Sequence, residues 1–334
     1  MKRTATIWGM AAVLLVLPGL AGCGRTEAKP SSAVSPAPPA ASPDAEKEAK
    51  FEPENLAALF LQGKIKEIYS RFSPEFKKDV SLKQLSELAG DFNKDVRTYK
   101  LQSKLPLGDG ERYVWTDESG QKGLTAVIDG KGVIRGLQFV PLKTYPATDE
   151  AFSRTEFSLP FRGEWNVLWG GTNVLLNYHY EHESQRYAYD LVQIKGTSTY
   201  TGDPGKLESY YAYNQEVTAP APGIVKAVEN GRPDNPIGQT DEKNPAGNHV
   251  VIDHGGGEYS FLVHFKKGTI TVKPGDKIER GQLLGRVGNS GNTSEPHIHF
   301  HVADGADLSG SKSIRIRFEG GAEPKQGDVL KGVR

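Results

Sequence analysis

Gly288-Asn-Ser-Gly-Asn-Thr-Ser-Glu-Pro-His-Ile-His-Phe-His301 is the stretch on which the fold of the carboxyl-terminal half turns. A glycine-rich turn leads into an apolar run in which His297, His299 and His301 take every second position. Side chains of a strand alternate faces, so the three rings share one side, with neighbours roughly 7 Å apart. Imidazoles aligned on one rigid face suit a zinc site, because the strand holds each ring nitrogen in place before the metal arrives. The chain has eight histidines in 334 residues, and three of them fall within five positions, a concentration that a merely polar sheet face does not call for.

Working outward, four more blocks come in order. Ala219-Pro-Ala-Pro-Gly-Ile-Val-Lys-Ala-Val228, Gly247-Asn-His-Val-Val-Ile-Asp-His-Gly255 and Phe261-Leu-Val-His-Phe265 are the first three. A turn-rich lead, Lys273 to Gly288, then delivers the chain to the histidine strand. Together, from about residue 160 to 305, these blocks resemble the lysostaphin-type (LytM-like) zinc endopeptidases, which cut peptide cross-links of bacterial cell walls. The resemblance implies a mostly β carboxyl-terminal domain over residues 158–305, with an antiparallel β-sheet or barrel core. Residues 306–334 would form an extension, with Ile314-Arg-Ile-Arg-Phe318 as a candidate closing strand.

The same resemblance implies roles. His299 would be a metal ligand, and His264 and His297 would flank the substrate, where they position water, move its proton or donate to the developing oxyanion. One zinc per chain is expected, and bound zinc makes water nucleophilic near neutral pH. His301 lies one step beyond the usual pair and is expected in a structural or supporting role; His249 and His254 read as structural histidines. In the family a His-x-x-x-Asp block supplies two ligands, whereas this chain has Arg186-Tyr-Ala-Tyr-Asp190. Asp190 is kept as a ligand, but a guanidinium is permanently charged and has no lone pair for a metal.

Three readings of the missing ligand are open. His179 or His182, both within Asn177-Tyr-His-Tyr-Glu-His182, could fold back to Asp190. Family members with an Asn-x-His segment ahead of a Gln-Arg-Tyr-Ala-x-Asp block favour His179. In the third reading Arg186 takes the metal position and pairs with Asp190. The implied function is zinc-dependent hydrolysis of peptide bonds in peptidoglycan. The alternative is a degenerate, inactive module that binds peptidoglycan or regulates another cell-wall hydrolase.

The amino terminus suggests location. Lys2 and Arg3 precede an apolar run from Ile7 to Leu20, shorter than the roughly 20 residues of a comfortable membrane span. The run ends in Leu20-Ala-Gly-Cys23, which resembles a bacterial lipobox: residues 1–22 would be a lipoprotein signal peptide and Cys23 the lipidated anchor. Cys23 is the only cysteine, so no internal disulfide is available. From Gly24 to Lys50 the chain is rich in Ala, Pro, Ser, Glu and Lys, with no aromatic residue. Such a segment cannot bury enough apolar surface to offset its ordering entropy, so residues 23–50 read as the anchor and a disordered tether. At ~3.1 Å per residue it reaches on the order of 80 Å. The protein is thus expected outside the cytoplasm, held to the outer face of the cell membrane by lipid.

Residues 51–145 read as a separate small α+β domain. Leu56, Leu61, Ile65 and Ile68 recur at helical spacing, and a second helix begins at Ser81 with Gln84 reaching back to close a capping box. Extended segments follow at 97–106, 111–117 and 123–140, the last broken by a turn at Asp129-Gly-Lys-Gly132. Two helices and then a curved antiparallel sheet resemble the nuclear-transport-factor-like cone fold, an accessory domain that implies a spacer or a surface for the wall or an envelope protein partner.

Forty-one basic and 41 acidic residues cancel, which removes the electrostatic argument for nucleic acid. No phosphate-cradling glycine loop, Gly-x-Ser-x-Gly elbow or CxxC pair competes with the metal site. The polar segment Asn230–Asn248 is long for a compact β-domain and is assigned either to substrate selection or to a surface hairpin. Trp165, Trp169, Tyr178 and Tyr180 line the groove or pack the domain edge.

Overall fold

The computed structural model describes residues 51–332. The proposed signal peptide, the lipidated Cys23 and the tether lie outside the described residues.

Among the described residues four short helices come first, α1 (Leu56–Leu61), α2 (Ile65–Ser70), α3 (Phe76–Asp79) and α4 (Leu82–Phe92). The apolar spacing from Leu56 to Ile68 does not make one continuous helix, because Gly63 breaks it. Gly63 adopts φ 73°, its N–H bonds to Phe60 O, and the Lys64 N–H bonds to Leu59 O. That is a left-handed helix stop, and it lets the chain turn between α1 and α2. α4 starts as expected: Ser81 accepts from the Gln84 N–H, and Gln84 accepts from the Ser81 N–H.

Four strands follow, β1 (Tyr99–Leu107), β2 (Gly110–Asp117), β3 (Lys122–Asp129) and β4 (Ile134–Pro141), paired in sequence order as an antiparallel meander. The helices cover one face, burying Leu56, Phe60, Ile68 and Leu85 against Trp115, Leu124 and Ile134.

A single-turn helix α5 (Pro146–Asp149) joins this region to the rest. The strands that follow are β5 (Phe152–Phe157), β6 (Gly163–Trp169), β7 (Tyr189–Val192), β8 (Glu216–Thr218), β9 (Gly223–Glu229) and β10 (Asn248–Asp253). After them come β11 (Tyr259–Phe265), β12 (Lys277–Ile278), β13 (Leu283–Arg286), β14 (Ile298–Ala303), β15 (Ser313–Phe318) and β16 (Val329–Gly332). Apart from the small β8–β13 pair, they form one sheet in the order β12-β9-β10-β11-β14-β7-β6-β16, with β15 also on β14 and β5 on β15. All these pairings are antiparallel except β15 with β5. The mostly β architecture expected from the histidine strand and its neighbours is present. The sheet also continues past residue 305, since β15 and β16 both join it.

β14 lies at the heart of this sheet, paired along one edge with β11 and along the other with β7 and β15. Its residues alternate as a strand demands. Ile298, Phe300 and Val302 face the main core with Leu191, Leu262, Phe265 and Phe318. The odd-numbered positions, His299, His301 and Ala303, therefore face the other way, and His297 lies just before the strand.

Candidate metal centre

Strand pairing brings the chemistry together. β7 and β14 are in register at Asp190 opposite His299, which places carboxylate and imidazole side by side on the face away from the core. His299 Nδ1 lies 2.9 Å from Asp190 Oδ1. His179 arrives from the short 3-10 turn Tyr178–Glu181 and places Nε2 3.1 Å from Asp190 Oδ2. One donor atom from each of His179, Asp190 and His299 lies within 4.8 Å of the others, and all three residues are buried. Two imidazole nitrogens and one carboxylate oxygen are a donor set that suits zinc and keeps a coordination position free for water or substrate.

The three readings of the missing ligand have different outcomes. His182 is exposed, and among the described residues no hydrogen bond or ion pair joins it to Asp190. Arg186 is buried, but its Nε donates to Tyr180 O over 3.2 Å and its guanidinium lies 3.4 Å from the Tyr145 ring centroid. Among the described residues no ion pair joins Arg186 to Asp190. His179 is the histidine that reaches the carboxylate.

His264 and His297 border the trio, their ring centroids 4.8 Å apart. His264 Nδ1–H donates to Ser290 O at 2.8 Å, and His297 Nδ1–H donates to Glu295 O at 2.9 Å. Each backbone carbonyl therefore holds the ring proton on Nδ1 and leaves Nε2 for chemistry. The His297 Nε2 lies 3.5 Å from Asp190 Oδ1. Tyr178, at 45% exposed, donates its hydroxyl to Asp190 Oδ2 and packs on His179 and Trp169 at the rim of the site. Trp165 and Tyr180, by contrast, are buried, Trp165 in the core and Tyr180 against Tyr145 and Tyr187.

Burial and mutual charge set the proton affinities. Burial alone would push the Asp190 carboxyl up; the His179 and His297 rings beside it hold it well below the usual carboxylate range. Burial drives His264 well below its ordinary value and His299 down to about 4. For His297 burial acts downward too, but the Asp190 carboxylate outweighs it and the net shift is upward.

His301 is fully buried, stacks on Phe261, and places Nδ1 2.9 Å from His299 Nε2. With His299 Nδ1 donating to Asp190, its Nε2 accepts from His301. Use of Nδ1 as a ligand atom moves the proton to Nε2, which then donates to His301 Nδ1. In either tautomer His301 Nε2 is left over, and it is the buried side-chain polar atom without a partner among the described residues. His249 and His254 are occupied elsewhere, His249 with Gly247 O and His254 with Pro222 O and the Ser260 hydroxyl.

The sequence points to Asn177 only as part of the Asn-x-His segment, and it does not single out Ser290. Asn177 is fully buried; its Oδ1 accepts from the His179 N–H, a turn that an Asn two residues before the histidine can signal. Ser290 bridges strands, its hydroxyl donating to Phe265 O and accepting from the Asn248 N–H. The segment 230–248 clasps the glycine-rich turn: Asn289 N–H donates to Asp234, Asn235 N–H to Asn289 O, and Asp241 N–H to Gly291 O.

Residues 207–310 match peptidase family M23; the span includes His264, His297 and His299 and begins after His179 and Asp190. The chain is 37% identical over 89 residues to the peptidoglycan DD-endopeptidase ShyA of Vibrio cholerae, covering 25% of this chain and 20% of ShyA. With ShyB of the same organism, also a peptidoglycan DD-endopeptidase, it shares 37% over 81 residues, 22% of this chain and 18% of ShyB. It thus spans about a fifth of the length of these relatives. The catalytic domain of lysostaphin from Staphylococcus simulans aligns at 16% identity over 51% of this chain and 95% of that one, with a TM-score of 0.26.

Proposed function

We propose that this chain, whose residues 207–310 carry a peptidase family M23 domain, hydrolyses peptide bonds of bacterial cell-wall peptidoglycan with one zinc ion bound per chain. The observation that carries this reading is the buried trio His179, Asp190 and His299, with donor atoms within 4.8 Å of one another, flanked by two histidines whose Nδ1 protons are tied to backbone carbonyls. Zinc held there would polarise a scissile carbonyl and make bound water nucleophilic near neutral pH. His264, kept neutral by burial, presents Nε2 as acceptor for the proton of the attacking water. His297, whose proton affinity is raised beside Asp190, is suited to donate toward the carbonyl oxygen and then the leaving amine. The rings of Tyr178 and Trp169 form the wall against which a peptide would lie, and the clasped segment 230–248 would select substrate from the other side.

The second reading, an inactive module that binds peptidoglycan or regulates another hydrolase, draws on Arg186 in place of a ligand histidine. The stacking of Arg186 on Tyr145 and the approach of His179 to Asp190 weigh against it. A wall substrate argues for a location outside the cytoplasm. We include in the proposal the lipid anchor at Cys23 and a surface on residues 51–145 for an envelope protein partner.

The test is hydrolysis of purified peptidoglycan, with released fragments identified by mass spectrometry. New amino termini should accumulate with the wild-type protein, cease with a chelator, return with zinc, and stay absent for His297→Ala. Intact cross-links in the zinc-loaded wild type would overturn the peptidase reading in favour of the inactive module.

A further inference from the structure

The position where the family resemblance expects a ligand histidine holds Arg186, and Arg186 is fastened to the segment that brings His179. Its Nε donates to Tyr180 O, one residue after His179. Its guanidinium lies on Tyr145, in the segment that joins the two halves of the chain. From that same segment Asp149 grips the His179 turn: its Oδ2 accepts the Tyr180 hydroxyl at 2.8 Å and the Tyr145 N–H at 3.0 Å, while its Oδ1 accepts the Tyr187 hydroxyl at 2.8 Å.

The approach to the turn is held by the amino-terminal region as well. Leu175 and Leu176 are buried in a small apolar cluster with Val114 of β2 and Leu142. Leu175 lies so close to Gly123 of β3 that a side chain at Gly123 would collide with it. Asn177 then ties the turn inward, its Nδ2 donating to Gly171 O, Arg186 O and Ala188 O.

A four-residue 3-10 turn has little packing of its own, yet a ligand must be held to within about half an ångström of its working place. The neighbours must supply that rigidity. We propose that Asp149 and Arg186 are positioning residues for His179, so that the junction between the amino-terminal region and the large sheet is a built part of the metal centre. The inference rests on the reading of His179 as a ligand. It gives the amino-terminal region a task that a spacer would not have: a shift of the junction would carry the ligand with it.

The experiment measures zinc affinity of the full chain by competition with a chromophoric chelator, for the wild type, His179→Ala, Asp149→Ala, Arg186→Leu and the double variant Asp149→Ala/His179→Ala. Loss of a group that orients a ligand typically weakens metal binding by about 10–100-fold, and that loss is expected for Asp149→Ala and Arg186→Leu. The double variant should bind zinc no more weakly than His179→Ala alone, because Asp149 acts through the ring already removed. A general structural role would not give that non-additivity. Wild-type affinity in Asp149→Ala and Arg186→Leu beside a loss in His179→Ala overturns the inference, and so does an additive loss in the double variant. Wild-type affinity in His179→Ala overturns the ligand reading and the inference with it. Should Asp149→Ala lose its fold by circular dichroism, Asp149→Asn, which keeps one acceptor oxygen, takes its place in the same cycle.

Discussion

His264 adopts φ 67°, in the left-handed region that side chains other than Gly, Asn and Asp seldom enter. Strain of this kind costs about 1–3 kcal/mol and is kept only where the surroundings enforce it. Here the His264 N–H bonds to Ala246 O, its carbonyl accepts from Gly288 N–H, and its ring is held by Ser290 O. His264→Asn suits the backbone better and should leave the melting temperature within a few degrees of wild type while hydrolysis falls by about 10²–10⁴-fold, the usual weight of a general acid–base group. His182→Ala should keep full zinc content, since His182 is exposed and away from Asp190; loss of zinc would move the third ligand.

The histidines also give a pH dependence with a definite sign. Burial lowers His254, His264 and His301 from 6.5, and lowers His299 to about 4. Between about 6.5 and 4 the unfolded chain therefore binds more protons than the folded one. The metal-free protein should lose stability as the pH falls from 6.5 toward 4; His297, shifted upward beside Asp190, adds stability that is fully present below 6.5 and is lost as the pH rises through its folded value. Melting temperatures recorded in chelator across this range test it; a curve that rises on acidification would contradict the burial of neutral histidines.

At the scale of elements, the glycine-rich turn is set by close approach rather than by flexibility. Gly247 adopts φ 55° and Gly291 φ 92°. A Cβ on Gly247 would run into the Ser290 backbone, and one on Gly291 into the backbone of Pro245 and Gly247. The two glycines let segment 230–248 lie directly on the turn that aims His264 and His297. Gly247→Ala combines the left-handed penalty of about 1–2 kcal/mol with that collision, so it should lower the melting temperature by several degrees and reduce hydrolysis. In the helices, Ser81→Ala removes the α4 cap at a cost of about 1 kcal/mol, with no effect on zinc.

At the scale of the whole molecule, the carboxyl-terminal residues belong to the sheet. Phe318 is 4% exposed and packs on Tyr189 and Phe300, the immediate neighbours of Asp190 and His299. Phe318→Ala should cost about 3–5 kcal/mol, as large-to-small core substitutions do, and should weaken zinc binding because the strands that carry the proposed ligands Asp190 and His299 both lean on it. Denaturant unfolding and metal competition read the two effects separately. The amino-terminal sheet adds its own tie, with Arg112 of β2 donating to Gln326, whose amide donates to Leu168 O.

What the sequence determined by itself is what depends on local pattern. Period-two alternation put His297, His299 and His301 on one face, turn residues bounded the strands, and Ser81 with Gln84 marked a helix start. Each of these rests on dihedral preferences and neighbours a few positions apart, which any short window contains. Gly63, which separates α1 from α2, is equally local, but the apolar spacing from Leu56 to Ile68 by itself carries no sign of the break. The choice among His179, His182 and Arg186 was different in kind. All three lie within eight residues of one another and have chemistry that a sequence motif can accommodate. Tertiary structure decided which of them stands beside Asp190, because the side of the Tyr178–Glu181 turn that meets Asp190 depends on Asn177, on Tyr145 and Asp149 from the junction, and on β14 paired to β7 more than a hundred residues away. A ligand set is a relation between distant segments, and only packing against a shared core brings such segments to a few ångströms.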